Sequence, residues 1–537
     1  MQFSGLTQRG GSNAGERHRA TSVALAALCT LLFLTFLDNT IVAVGLGNIQ
    51  SDLKASIADM QWVVGAYALT FASIMLACGM IGDELGRKAV MLTGAGVFCA
   101  GSVLCALAPN APTLIAGRAI MGLGAAASEP GTLSVLRQMY PEGRARARAV
   151  GIWAGVSGLA LALGPVVGGA LVGAWSWRGI FWFNLFFGLA ALIVALITVP
   201  ESADPTASRV DTVGTVLGAG ALATLMFAVI DSETAGFGSA NIIVLLAAAA
   251  VLAIAFVWWE RRVAHPLLDM KYFRLPGFTV PNVVAFCTYL ATFAIFFFTA
   301  LYLDEVVSAS GYKIAEVFIP MTVLMIASSV LAGRWTGHVG PRWPITFGCA
   351  AFAAGLLLAG PQVTPHPNYT ALSLALALAG IGIGTTVVPV TTAVLDAVPP
   401  ERSGMAASAN NTFREIGAVA GASVLGALVF SRLNAALTTH LANLAVPASE
   451  KAQILAFKSV IIQFIETGQV NTNVNLNSYG PIVQKVIGAA YDSFGDGLHA
   501  ALYLSATLVI VAGALAALTL GKATAPALGE EPVESLD

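Results

Sequence analysis

Charge is what this chain has least of. Of its 537 residues only 10% are Asp, Glu, Lys or Arg while 57% are hydrophobic, and the mean hydropathy is +0.79. A soluble globular chain carries roughly 25% charged residues, so a water-exposed fold is excluded and most of the outer surface must meet lipid. Cysteine is scarce too. Cys29, Cys78, Cys99, Cys105, Cys287 and Cys349 form no CxxC pair and lie in or beside apolar runs, which argues against a disulfide framework or a zinc site and for small core side chains. The six His are scattered. Without a metal-ligand cluster, a phosphate-cradling glycine loop or a nucleophile constellation, the sequence gives no ground for an enzyme, a cofactor or ATP as energy source. It has no sizeable soluble domain for a receptor to control, and no nucleic-acid partner is expected.

What the chain does have is long apolar runs. Stretches of about twenty residues, enough for a helix to cross a bilayer, fall near Thr21–Leu46, Asp59–Ile81, Ala89–Ala108, Thr113–Leu136, Ala149–Val172, Gly179–Val199 and Thr212–Ile230. The rest fall near Asn241–Trp259, Phe278–Leu303, Val317–Gly337, Pro344–Gly360, Thr370–Leu395, Met405–Phe430 and His499–Leu520. Fourteen spans are therefore expected in an all-α polytopic protein. With the N-terminus inside, Arg87, Lys88, Arg144, Arg146, Arg148, Arg261, Arg262, Arg334 and Arg342 collect in inner segments, and the short outer segments keep only Lys54, Arg178 and Lys313. The positive-inside rule thus predicts that both termini are cytoplasmic. The N-terminal tail, rich in Gly, Ser and Gln, reads as disordered, and the first span, long and holding an acid, does not read as a signal peptide.

Five charges inside these runs stand out. Asp38 lies in the first, in Leu37-Asp38-Asn39-Thr40; an ionisable group at such depth costs about 2.5–3.5 kcal/mol on insertion scales and normally faces a cavity or a partner. Arg118 sits a few residues into the fourth run, where it either snorkels to the interface or faces the cavity beside a carboxylate. If it pairs with Asp38, proton uptake and separation of the pair are linked. Glu129 follows Arg118 by about three helical turns on nearly the same face, as a second proton site, a receptor for cationic substrates, or a structural acid. Arg414 and Glu415, consecutive in the thirteenth run, point to different sides, and their depth suggests a cytoplasmic gate or interface.

Glycine carries the other pattern. The uncharged stretch Gly151–Leu171 has small residues at Gly151, Gly155, Gly158, Gly164, Gly168 and Gly169. One helix face is thereby left bare for close packing, and Pro165 removes a backbone donor and bends the rod. Between the second and third runs, Gly79-Met80-Ile81-Gly82-Asp83-Glu84-Leu85-Gly86-Arg87-Lys88 combines glycines for a tight turn with charges that could pair with a neighbouring helix end. Such pairs can latch one conformation and release in another. Gly333 to Arg342 is a degenerate copy without the acid. The ninth run carries Tyr289, Phe293, Phe296, Phe297, Phe298 and Tyr302, an aromatic wall suited to lipophilic ligands or to ordinary core or lipid packing.

These motifs, in this order, resemble those of the major facilitator superfamily, and within it the fourteen-span drug/proton antiporter family. The Gly79–Lys88 loop resembles the family's G-x-x-x-D-x-x-G-R-K/R signature, Gly164-Pro165-Val166-Val167-Gly168-Gly169 its fifth-helix antiporter motif, and the Asp38 segment its first-helix motif. Arg118 matches the fourth-helix arginine. Trp177-Arg178 with Phe181 and Asn184 is similar to a W-R-x-x-F-x-x-N signature, whose aromatics are read here as an interfacial anchor; relatives commonly have Pro where this chain has Phe186. The resemblance implies a cytoplasmic tail 1–20, an N-terminal six-helix bundle 21–200, a linker and two inserted helices 201–275, a C-terminal bundle 276–520 with a long outer loop 431–498, and a cytoplasmic tail 521–537.

It further implies a monomeric secondary transporter of the cytoplasmic membrane, surrounded by lipid, that exchanges protons for lipophilic or cationic drugs by alternating access. Asp38, Arg118 and Glu129 would couple protons. Gly79, Asp83, Gly86, Arg87 and Lys88 would form the latch, and Gly155, Gly164, Pro165, Gly168 and Gly169 the antiporter motif. Glu129, Trp153, Tyr289, Phe293 and Phe297 would line the substrate cavity. Export of a dedicated metabolite, lipid or siderophore by the same machinery is the alternative.

Overall fold

A computed structural model describes residues 10–140, 143–201, 211–236, 238–264, 266–307, 309–364, 366–399, 402–442 and 481–521. Some side chains within helices, those of Asp83 and Pro165 included, also lie outside the description. Every regular element among the described residues is helical. The first series is α1 (Gly10–Ile41), a short α2 (Leu46–Leu53), α3 (Ile57–Leu85), α4 (Arg87–Ala106), α5 (Ala111–Met139), α6 (Gly143–Ala174) and α7 (Arg178–Thr198). Then come α8 (Thr212–Ala235) and α9 (Ala240–Glu260). The second series is α10 (Pro276–Phe293) with its continuation α11 (Thr299–Leu301), α12 (Gly311–Val339), α13 (Arg342–Ala359), α14 (Tyr369–Asp396), α15 (Ser403–Ala442) and α16 (Pro481–Thr519).

Among the described residues, eleven helices are long and apolar enough to cross a membrane. The remaining expected spans, 59–81, 113–136 and 149–172, lie in α3, α5 and α6 and are helical throughout. Helix α5 holds the buried Arg118 and Glu129, and α6 the glycines from Gly151 to Gly169. Helix α1 already begins at Gly10, ahead of Thr21, which corrects the expectation of a disordered tail for residues 10–20. At the other end α15 continues to Ala442 and α16 starts at Pro481, so both intrude on the expected loop 431–498. The segment Glu450–Phe457, whose sequence reads as an amphipathic helix lying on the membrane, falls outside the described residues.

Local chemistry sets the starts of the helices. Ser56 accepts from the Asp59 amide at 3.1 Å while Asp59 accepts from the Ser56 amide at 2.9 Å, a closed capping box for α3. Asn110, Ser239, Ser310 and Asn368 cap α5, α9, α12 and α14 in the simpler way. The turn from α3 to α4 is made by Gly86 alone, with φ 111°, a region that L side chains avoid. Its counterpart between α12 and α13 is Gly340, with φ 77°.

The same spacing recurs in packing. Gly94 and Gly101 let α4 lie on α5, where an added Cβ would meet the Gly124 carbonyl at 2.6 Å and the Met121 amide at 2.7 Å. Gly348 and Gly355 do this for α13 on α14, with the Gly382 carbonyl at 2.9 Å and the Ala379 amide at 2.5 Å. Gly86, Gly94, Gly101 and Gly340, Gly348, Gly355 are thus an internal repeat, and close backbone approach is its physical content. Helix α1 packs on α5, α6 and α7, and α10 on α14, α15 and α16. Between the two series α6 meets α12 and α3 meets α15; α8 packs on both α3 and α15 and carries α9 at its side.

Candidate functional site

Asp38 is fully buried on α1 and forms an ion pair with Arg118 of α5. Its other oxygen, Oδ1, accepts from Asn184 Nδ2 of α7 at 2.7 Å. Arg118 does not snorkel. Its Nε donates to the Val63 carbonyl of α3 at 2.8 Å and its guanidinium lies 4.5 Å from the centre of the Tyr67 ring, whose hydroxyl is tied to the Thr35 carbonyl at 2.9 Å. Four helices therefore converge on one carboxylate, and each polar contact offsets part of the cost of burying two charges.

Asn39, the next residue, turns the other way. Its amide donates to Glu415 Oε1 of α15 at 3.3 Å. Glu129 likewise leaves the Asp38 pair, even though its register puts it near the Arg118 stripe, and accepts from Asn411 Nδ2 of α15 at 2.5 Å. The first and second helix series are thus joined by two amide-to-carboxylate bonds running in opposite senses. Asn411 and Glu415, one helical turn apart on α15, share the face that makes them. Arg414 points elsewhere, as the sequence suggested: Nη1 reaches Asn411 Oδ1 at 3.3 Å, Nη2 reaches Thr391 Oγ1 at 2.8 Å, and the guanidinium lies 5.2 Å from the centre of the Tyr289 ring.

The glycine motif of α6 surrounds the same stretch of α1. A Cβ on Gly164 would fall 1.9 Å from Thr40 Oγ1, and one on Gly168 2.7 Å from the Ile41 carbonyl. Gly169 instead faces the second series, 2.8 Å from the Gly311 carbonyl at the start of α12. Gly155 has no atom within 4 Å of such a Cβ, so it is not part of the close contact. Helix α6 remains helical through Pro165. Beyond Ile41 the chain tightens into a 3-10 turn, Val42–Gly45, which packs against α11 and the π-helical turn Ala294–Phe298. Such turns re-aim side chains relative to a regular helix.

In the α3–α4 loop, Lys88 Nζ donates to the Leu196 carbonyl at the end of α7 at 2.9 Å, where a cation complements the helix dipole. The Lys88 amide donates to Glu201 at 3.3 Å. These contacts stay within the first series; Gly79, whose added Cβ would lie 3.2 Å from Ser408 Oγ, is where the motif meets α15. Trp153 is buried with Nε1 on Thr132 Oγ1 at 2.9 Å, pinned to α5. The Tyr289 hydroxyl is buried without a hydrogen-bond partner, and Phe293 and Phe297 stack with centroids 5.3 Å apart.

Sequence reasoning missed Asn184, Asn39 and Asn411 as partners of the acids. It also took the Trp177–Asn184 signature for an interfacial anchor. Trp175 fits that reading, but Trp177 is buried and donates to Asp52 at 3.0 Å, Arg178 meets the same carboxylate at 2.5 Å, and Asn184 serves Asp38. Phe186 faces outward. Among the described residues no group of three or more His, Cys, Asp or Glu could hold a metal ion, and the six cysteines are free thiols.

Residues 28–422 match the Major Facilitator Superfamily. The chain is 32% identical over 499 residues to multidrug resistance protein Stp of Mycobacterium tuberculosis, covering 92% of this chain and 91% of that protein. It is 33% identical over 420 residues to the methylenomycin A resistance protein of Streptomyces coelicolor, covering 78% of this chain and 87% of that one. To the tetracenomycin C resistance and export protein of Streptomyces glaucescens it is 28% identical, covering 92% and 91%. Among solved structures, the inward-facing, unoccupied bacterial homolog of the human lysosomal transporter Spinster is similar in fold, with TM-score 0.61 and 18% identity, over 95% of this chain and 99% of that one.

Proposed function

Because this chain belongs to the Major Facilitator Superfamily, we propose that it exports small lipophilic and cationic drugs across the cytoplasmic membrane in exchange for protons. It is a multi-pass membrane protein and a secondary transporter rather than an enzyme. The observation that carries the proposal is the buried Asp38, gripped by Arg118 and Asn184 in a membrane-spanning helix. Relatives named for drug resistance and export support the substrate class.

In this reading Asp38 takes a proton from the outer side. Neutralising the carboxylate removes the attraction to Arg118, which keeps its contacts to Val63 and Tyr67, so α1 is freed from α5. Helix α1 carries that change to two places. Asn39 holds Glu415 across the helix series, and Thr40 lies under Gly164 of α6. Residues 21–200 and 276–520 would then rock as two halves around Glu129, Trp153, Tyr289, Phe293 and Phe297, with 201–275 as linker and inserted pair. The Gly79, Asp83, Gly86, Arg87, Lys88 loop and the Gly155, Gly164, Pro165, Gly168, Gly169 face would control which side is open. Both termini would be cytoplasmic and the working unit a monomer.

The test is accumulation of ethidium by inverted vesicles under an imposed proton gradient. Uptake that vanishes when nigericin collapses the gradient is expected. Uptake indifferent to the gradient, or no uptake of any compound in a panel of cationic and neutral lipophilic drugs, would overturn the proposal.

A further inference from the structure

Three buried hydrogen-bond donors of the second helix series are left over after the fold is accounted for. Tyr289 is 6% exposed, Thr292 5% and Arg414 2%. The Tyr289 hydroxyl, the Thr292 hydroxyl and Arg414 Nε make no hydrogen bond among the described residues. Neighbours of the same kind are satisfied. Thr288, one turn earlier on α10, donates to the Val284 carbonyl at 2.7 Å, and Thr391 and Thr412 bond back along their own helices at 3.0 and 2.9 Å. Tyr67 of the first series also lies against a buried arginine, Arg118, yet its hydroxyl is taken by the Thr35 carbonyl. Arg118 is paired with Asp38, whereas Arg414 makes no salt bridge among the described residues.

The leftover donors belong together. The Arg414 guanidinium lies 5.2 Å from the centre of the Tyr289 ring, with Nη1 and Nη2 spent on Asn411 and Thr391 and only Nε free. Thr292 follows Tyr289 by three residues, on the same side of α10. Phe293 and Phe297 stack next to it with centroids 5.3 Å apart, and the π-helical turn Ala294–Phe298 begins directly after Phe293, a departure from the regular helix that is frequent at functional sites.

A guanidinium N–H can only donate, and a hydroxyl can do so as well, so the ligand that satisfies this set is an acceptor. Glu129 and Glu415 act electrostatically on Tyr289, and a carboxylate or phosphate would set a further negative charge beside two acids. A neutral carbonyl oxygen brings two lone pairs for two donors and no charge. Ring surface at Phe293 and Phe297 suits a carbonyl carried on a planar ring system.

We propose that the Tyr289 hydroxyl and the Arg414 Nε–H form a donor subsite for a neutral carbonyl oxygen on a planar lipophilic substrate, with Thr292 serving a second oxygen of the same ring system and Phe293 and Phe297 receiving the ring. The inference rests on the export reading above and deepens it by naming a substrate class, planar carbonyl compounds such as quinones and aryl ketones. The substrate reaches the subsite when the two halves rock apart, and it recovers the free energy that unpaired buried donors cost.

The experiment measures, by fluorescence, binding of two probes to the purified full-length protein: doxorubicin, whose planar rings carry quinone carbonyls, and ethidium, a planar cation with no carbonyl. Tyr289→Phe and Thr292→Val each delete one hydroxyl and keep the shape of the side chain. Because the deleted group is unpaired in the fold, the thermal unfolding midpoint is expected to hold or rise. Doxorubicin affinity relative to ethidium is expected to fall roughly tenfold in Tyr289→Phe and roughly threefold in Thr292→Val. An unchanged ratio in Tyr289→Phe would overturn the inference, and so would a lowered midpoint, which would show that the hydroxyl serves the fold. Gradient-driven uptake of ethidium by inverted vesicles is measured alongside. A wild type that takes up ethidium yet binds no doxorubicin would overturn this inference and leave export standing, whereas a wild type that takes up neither compound nor any other drug of the panel would overturn export itself.

Discussion

Asn184 holds Oδ1 of Asp38 at 2.7 Å from inside α7, and the carboxylate is fully buried. Asn184→Ala leaves that oxygen without its donor, a loss of about 1–3 kcal/mol. We expect proton-driven ethidium efflux to slow roughly tenfold with ethidium affinity unchanged; equal rates would reduce Asn184 to a space filler. The acids and Arg118 were legible in the sequence because a charge inside an apolar run has few innocent explanations. Asn184, Asn39 and Asn411 were not. A neutral amide in a membrane helix costs little enough to be ordinary, and only the tertiary arrangement shows that each ends on a carboxylate. The same holds for direction: one residue separates Asp38 from Asn39, yet one serves its own helix series and the other reaches across.

Among the elements, α6 has the clearest sequence logic and the sharpest constraint. Its glycines announced a bare face, and Gly164 and Gly168 place that face on Thr40 and Ile41 of α1. Gly164→Ala puts a carbon where Thr40 Oγ1 now lies, at 1.9 Å, so α1 and α6 must part. We expect efflux to be lost in a protein that still purifies as a folded monomer, while Gly96→Ala on α4, where nothing lies within 4 Å, transports like the wild type. Full activity in Gly164→Ala would contradict the role given to this contact. Spacing predicted the packing face but not its occupant, nor that Gly155 would face open space. The 3-10 turn at Val42–Gly45 and the π turns in the ninth span left no trace in periodicity, because one residue more or fewer per turn is decided by the helix packed alongside. The repeat of Gly86, Gly94 and Gly101 at Gly340, Gly348 and Gly355 was present in the sequence at a fixed interval, but it gains meaning only when both sets prove to be close helix crossings.

At the scale of the molecule, the arrangement divides labour between two sets of buried charge. One set, Asp38 with Arg118 and Asn184, is complete within the first helix series. The other, Glu129 and Glu415 with Arg414, spans the contact with the second series. Helix α1 touches both through consecutive residues. In the proposed mechanism a proton arriving at Asp38 would be felt at the interface that must open and close for alternating access. The central claim is that Asp38 couples proton entry to drug exit, and it is tested most directly by substrate-induced proton release from acid-loaded inverted vesicles. The wild type is compared with Asp38→Asn, both verified as monodisperse. Ethidium is predicted to dissipate the proton gradient in wild-type vesicles and to leave it intact in Asp38→Asn vesicles. Equal dissipation in both would contradict the account and remove Asp38 from the coupling pathway.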